Sequence, residues 1–191
     1  MAYADTTRLK LYLGISETTD DTLLGYLLGA AQAAIDSYCR QTFEASGDTT
    51  RYFDGVEDVR GAVLHLDAPL CQITTVTNGD GNTIASNLYV KEPRNTTPWY
   101  ALRLKADAGV AWTYTSAPEN AISIVGRWAY STSAPNDIVQ VCTRLAGYLY
   151  RQRANSSDLD RAVAIGGNAM LLPPELPRDI KTLLAPYRRL V

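Results

Sequence analysis

The stretch Asp20–Arg40, DDTLLGYLLGAAQAAIDSYCR, decides how the rest of the chain is read. Leu24, Leu28, Ala31, Ile35 and Tyr38 recur at three- and four-residue steps, the spacing of one helix face, so the segment is expected as a core-facing amphipathic helix. Asp20 and Asp21 stand in its first turn, where the helix dipole favours negative charge. A second stripe, Gly25, Gly29 and Ala33, falls four apart, although each glycine costs up to about 1 kcal/mol of helix propensity. Small residues at that spacing let another body pack closely. A helix of the same chain and a neighbouring subunit are both open as the occupant.

Toward the amino end, Leu9, Tyr12 and Leu13 share a face of a short helix that Asp5 or Thr6 can cap and Gly14 can end in a left-handed conformation. A polar turn, Ser16–Thr19, separates the two helices. Beyond Arg51 the period changes to two, in Ala62–Leu66, Gln72–Val76, Leu88–Val90, Ala101–Leu104 and Ala121–Val125, which are expected as strands. Asn78-Gly79-Asp80-Gly81, between Val76 and Ile84, has the composition of a hairpin turn with adjacent left-handed positions.

Helix returns at Pro135, a suitable first helical residue, with Asp137 in the first turn and Ile138, Val141, Cys142, Leu145, Tyr148 and Leu149 on one face. It is expected to end near Arg151–Arg153. Asn155–Leu172 reads as a flexible loop or arm, Pro177–Leu184 as a last short helix, and Pro186 interrupts any helical continuation. The expected fold class is therefore α+β: a helical bundle (1–49 and 131–153), an antiparallel β insertion domain (50–130), and a loop with a carboxyl-terminal arm (154–191).

Composition supports a folded domain. Of 191 residues, 46% are hydrophobic and 20% charged, enough apolar surface to offset chain entropy. Eighteen basic and 20 acidic side chains leave a net charge of -2, so no global field draws the chain onto DNA or an anionic membrane. No run approaches the roughly 18 apolar residues of a membrane span, and Met1–Asp5 lacks the basic-then-apolar start of a secretory signal. Synthesis in the cytosol, with release only by lysis, is the expectation.

The search for chemistry yields no catalytic residue, cofactor site or metal site. Cys39, Cys71 and Cys142 are an odd, widely spaced set, read as small buried hydrophobes. His65, the one histidine, lies mid-strand, and no nucleophile elbow accompanies it. Asn78, Asp80 and Asn82 imitate the start of a calcium loop, but Thr83 and Tyr89 stand where glycine and glutamate are needed. Twelve tyrosines and Trp99, Trp112 and Trp128 raise a stacking face for sugar or nucleic acid. Against it, few cations lie near (Arg94, Arg103, Lys105, Arg127), and aromatics suit half-buried strands.

Several stretches carry a family likeness in their order: Leu9–Ile15, the Ala-rich helix ending Ile35-Asp36-Ser37-Tyr38-Cys39-Arg40, Asp67-Ala68-Pro69-Leu70, Gly126–Tyr130, Ala134–Ile138 and Leu184–Arg189. Spanning nearly the whole chain, they resemble the head-tail connector proteins of tailed bacteriophages and gene transfer agents, also called adaptor or head-completion proteins. The resemblance implies a non-enzymatic homo-oligomeric ring in the virion neck, usually of twelve subunits. Such a ring docks beneath the portal protein, meets a tail-side neck or tail-completion protein, and passes DNA through its lumen without sequence-specific binding. Competing expectations are another neck or tail-completion part of the virion, and a β-rich carbohydrate-binding module.

Within that reading the portal contact is expected in the carboxyl-terminal segment. Apolar Leu183, Leu184, Tyr187 and Leu190 alternate there with Arg178, Lys181, Arg188 and Arg189, and Arg and Tyr often dominate interface energetics. The opposing expectation is that this helix folds back on its own bundle.

Overall fold

The computed structural model describes residues 3–152, 162–165, 168–171 and 176–189. The chain forms two compact units, one from residues 1–40 with 134–191 and one from residues 41–133.

In the helical unit, α1 (Thr6–Leu13) begins at Asp5, whose carboxylate accepts the Arg8 N–H at 2.7 Å, and ends at Gly14 with φ 72°. Helix α2 (Asp21–Cys39) buries Leu24, Leu28, Ala31, Ile35 and Cys39. Helix α3 (Asn136–Gln152) packs on it with Ile138, Val141, Cys142, Leu145, Ala146 and Leu149. Each fully buried Leu or Ile contributes about 1.5–3 kcal/mol, which makes this seam the main stabilising contact of the unit. Tyr148, expected on the core face, is 39% exposed because it lies at the margin of the stripe. Tyr12, expected on one face with Leu13, lies with it against Gly147 of α3, where a Cβ would stand 2.7 Å from the Tyr12 Cε1 and 3.6 Å from the Leu13 Cδ2. The Arg151 guanidinium covers that ring at 5.3 Å.

The β unit holds β1 (Thr49–Phe53), β2 (Val59–Arg60), β3 (Val63–Leu70), β4 (Gln72–Thr77), β5 (Tyr89–Glu92), β6 (Trp99–Leu104) and β7 (Ile122–Arg127). They form two sheets, in the orders β1-β7-β4 and β2-β3-β6-β5, with every pairing antiparallel. The chain passes from one sheet to the other at Cys71, whose N–H donates to Arg127 O at 2.9 Å. Period-two alternation puts Phe53, Val76, Ile122 and Ile124 of one sheet and Leu64, Leu66, Leu102 and Leu104 of the other into a single core. Residues 41–48 belong here as well: Phe43 is fully buried against the Tyr130 ring, and Tyr130 N donates to Thr42 O.

The turn at Asn78 differs from its sequence reading. The left-handed residue is Gly81, with φ 82°, and Asn78 is 5% exposed, its side chain bonded to Ala111 O and Thr113 N. Gly79 is needed for close approach, since a Cβ there would stand 2.3 Å from Thr113 O. Asn78 thus ties two loops together through a buried amide, whose desolvation is offset by hydrogen-bond pairing.

After α3, part of the interval expected as a flexible loop or arm forms an antiparallel ribbon, β8 (Ala162–Ile165) with β9 (Asn168–Leu171). Other residues of Asn155–Leu172 lie outside those described. Helix α4 (Arg178–Leu184) comes next and runs into a 3-10 turn at Ala185–Tyr187, where Pro186 ends regular α-helix.

A backbone contact as narrow as that at Gly79 occurs at Gly126, where a Cβ would lie 2.3 Å from Gln72 O and 3.0 Å from Leu70 Cδ1. Because β7 is paired on both sides, it cannot retreat without breaking a ladder. Gly126→Ala should therefore cost about 1–3 kcal/mol and lower the melting temperature by several degrees, as read by calorimetry.

Candidate docking surfaces

The carboxyl-terminal segment folds back on the helical unit. Ile180 and Leu184 are 2% and 0% exposed, so Leu184, expected to face a partner, is core. The reason is helical spacing: four residues apart, the two point to one side, toward α3. Ile180 is the anchor that sequence reasoning missed; its four-residue step to Leu184 was the available signal. Arg144 of α3 pairs with Asp179, orienting the helix from its polar side.

Beyond Leu184 the contacts become polar and superficial. The Tyr187 hydroxyl donates to Asp137 in the first turn of α3, the Arg188 guanidinium lies 5.6 Å over the Tyr38 ring, and Arg189 N donates to Cys39 O at 3.0 Å. None of Ala185–Tyr187 is buried. Arg178 and Arg188 are exposed, Leu183 is 40% exposed, and Lys181 and Arg189 are half-buried. Leu190 lies outside the described residues. The expected patch is thus split into a buried anchor and an outward set, Arg178, Leu183 and Arg188.

The small-residue stripe of α2 is exposed at Gly25, Gly29 and Ala33. A Cβ on Gly25 or Gly29 would meet nothing within 4 Å, so no described part of this chain packs there. Tyr26 projects beside it, 70% exposed.

The chemically reactive side chains sit elsewhere. Burial, with the Asp36 carboxylate, pushes the Cys39 thiol up to about 11, and burial pushes Cys142 up to about 12, so neither forms a thiolate near neutral pH. Cys71 is raised by burial too and donates to Arg127 O at 3.2 Å. The His65 side chain is exposed on β3. No metal-ligating cluster occurs among the described residues. The carboxylate of Asp80 accepts both the backbone and side-chain N–H groups of Asn82, which hold its pKa below the usual range. Trp112 and Trp128 are 9% and 8% exposed, with indole N–H groups donating to Ala62 O and Thr49 O, so they are core residues rather than stacking platforms. No helix among the described residues is long and apolar enough to cross a membrane.

Among the described residues, then, the thiols are sealed in the core and the small-residue face of α2 and the side chains of Arg178, Leu183 and Arg188 are exposed. The family model of the Head completion protein (HCP) matches residues 4–190, and the chain belongs to that family, one of structural virion proteins. Two solved structures share its fold. A chain in the neck of an empty gene transfer agent particle, computed with C6 symmetry, is 17% identical with TM-score 0.54, the alignment covering 93% of this chain and 83% of that one. One in the virion of a native gene transfer agent particle is 19% identical with TM-score 0.54, covering 96% and 87%. No curated protein matches the chain.

The open space at Gly29 fixes the sign of a substitution there. Leucine has up to about 1 kcal/mol better helix propensity, and a Cβ there meets nothing within 4 Å, so Gly29→Leu should leave the isolated subunit melting no lower than the parent. A lower melting temperature in scanning fluorimetry would mean that this face is already covered by its own chain.

Proposed function

We propose that this protein is a neck subunit whose copies form a ring joining the portal of the capsid to the tail and extending the DNA channel. The observation that carries the reading is the family match over residues 4–190, joined to a fold shared with a chain of a gene transfer agent neck. Two surfaces of the helical unit are assigned roles in it. The exposed Gly25, Gly29 and Ala33 face, flanked by Tyr26, is the subunit-subunit contact, where the absence of side-chain bulk lets a neighbour's backbone come close. The carboxyl-terminal segment is the portal contact, led by Arg178, Leu183 and Arg188, with Lys181, Tyr187, Arg189 and Leu190 joining as the surface tethers exchange.

Those tethers suit exchange. An exposed hydrogen bond or cation-π contact contributes about 0.5–1.5 kcal/mol, so an acidic portal surface offering charge-assisted bonds to the arginines competes with them readily. Leu184 and Ile180, sealed in the core, hold α4 while the end changes partners.

Negative-stain electron microscopy of the purified protein or of virion necks tests the ring: a ring with a central hole supports the reading, and monomers that never close on portal overturn it. Gly29→Leu should fold normally yet form few rings, because a leucine overfills a close contact at a cost of about 1–3 kcal/mol per interface.

Deleting Pro186–Val191 should leave circular dichroism nearly unchanged, since both buried anchors of α4 remain, while abolishing co-sedimentation with portal. Full-strength binding by the truncated chain would remove the portal assignment.

A further inference from the structure

The β unit carries a groove that the neck reading does not use. It measures about 490 Å3 and is lined by Tyr89, Val90 and Lys91 of β5, the loop residues Arg94–Thr97, and Trp99. Consecutive residues of a strand point to opposite faces, so a groove touched by residues 89, 90 and 91 lies along the strand's margin rather than flat on one face. No further strand pairs with that margin, because β5 is the last strand of β2-β3-β6-β5, where Lys91 is exposed and Tyr89 is buried. Lys105 N donates to Leu88 O, and alternation along an antiparallel ladder then turns Val90 and Glu92 toward β6, leaving the backbone N–H and C=O of Tyr89 and Lys91 facing outward.

Edge strands are commonly guarded by a lysine that projects across them. Here the Lys91 ammonium lies 4.1 Å over the Trp99 ring, folded aside from the edge it would guard. The charges of the lining are both positive, Lys91 and Arg94, with no carboxylate among them. Nearby Glu92 is held by Arg103, with Arg103 Nε at 2.6 Å from its carboxylate. An incoming carboxylate would therefore meet two cations and no repulsion from the lining itself.

From the open backbone and this charge pattern we infer that the β5 edge takes an extended, acidic segment of a partner protein as an added strand, its carboxylates reaching Lys91 and Arg94. Main-chain pairing supplies affinity in such strand addition, and flanking side chains supply selectivity. Nucleic acid fits less well: two cations are too few to track a phosphate backbone, whose affinity grows with each phosphate neutralised.

Fluorescence polarisation with a labelled Glu-Val-Glu-Val-Glu-Val peptide tests the inference on the intact protein. Saturable binding is expected, weakened about tenfold or more by K91E/R94E, whose exposed side chains leave circular dichroism unchanged. Methylating alternate peptide nitrogens of the probe should weaken binding to the wild-type chain by a similar factor, which separates strand addition from simple charge attraction and decides the matter even if K91E/R94E misfolds. No saturable binding, equal binding of the methylated probe, or preferential binding of a twelve-residue oligothymidine would overturn the proposal. So would a change in the chain's own oligomeric state in K91E/R94E, which would make a second copy the occupant.

Discussion

Cys142 and Leu28 meet in the seam between α3 and α2 across 114 residues of sequence. Closing so long a loop costs entropy that grows only with the logarithm of its length, whereas the seam buries a full stripe of leucine, isoleucine and valine from each helix. That balance is what permits a whole β unit to be inserted between the two helices without unmaking the bundle. The shorter helices depend on the same seam. At eight and seven residues, α1 and α4 are below the length at which a helix is stable alone, and they persist by lodging Leu9, Ile180 and Leu184 in the core.

The β unit is held differently. Its core is shared by two sheets, and its tightest points are places where a side chain is missing: Gly126 under Gln72 O and Gly79 under Thr113 O. Buried polar groups of this unit are paired, as the amide of Asn78 and the indoles of Trp112 and Trp128 show, which offsets the cost of their desolvation.

Strong and weak contacts are separated along the carboxyl-terminal segment. Apolar burial fixes α4, whereas none of Ala185–Tyr187 is buried and polar contacts are among those that hold the residues beyond it. The outward face of α2 has the complementary property, a rigid helix with nothing of its own chain against it among the described residues. Stability and contact surface are thus assigned to different sides of the same helices.

Sequence pattern determined the α+β class, the four helices, five of the strands and the core stripes of α2 and α3, because side-chain direction comes directly from a 3.6- or two-residue repeat. Gly14 and Asp5 were legible as caps for the same local reason. The short strands β1 and β2, the ribbon β8-β9, and the role of Asn78 were not, since each depends on a partner far away in sequence. The same limit applies to the candidate surfaces. Gly25, Gly29 and Ala33 were visible as a stripe, but only the tertiary structure decided that it is open, and only the structure moved Leu184 from surface to core. Which side of a short helix is buried is set by what lies opposite it, and the groove at β5 lies where sheet order leaves the outer side of that strand without a strand partner.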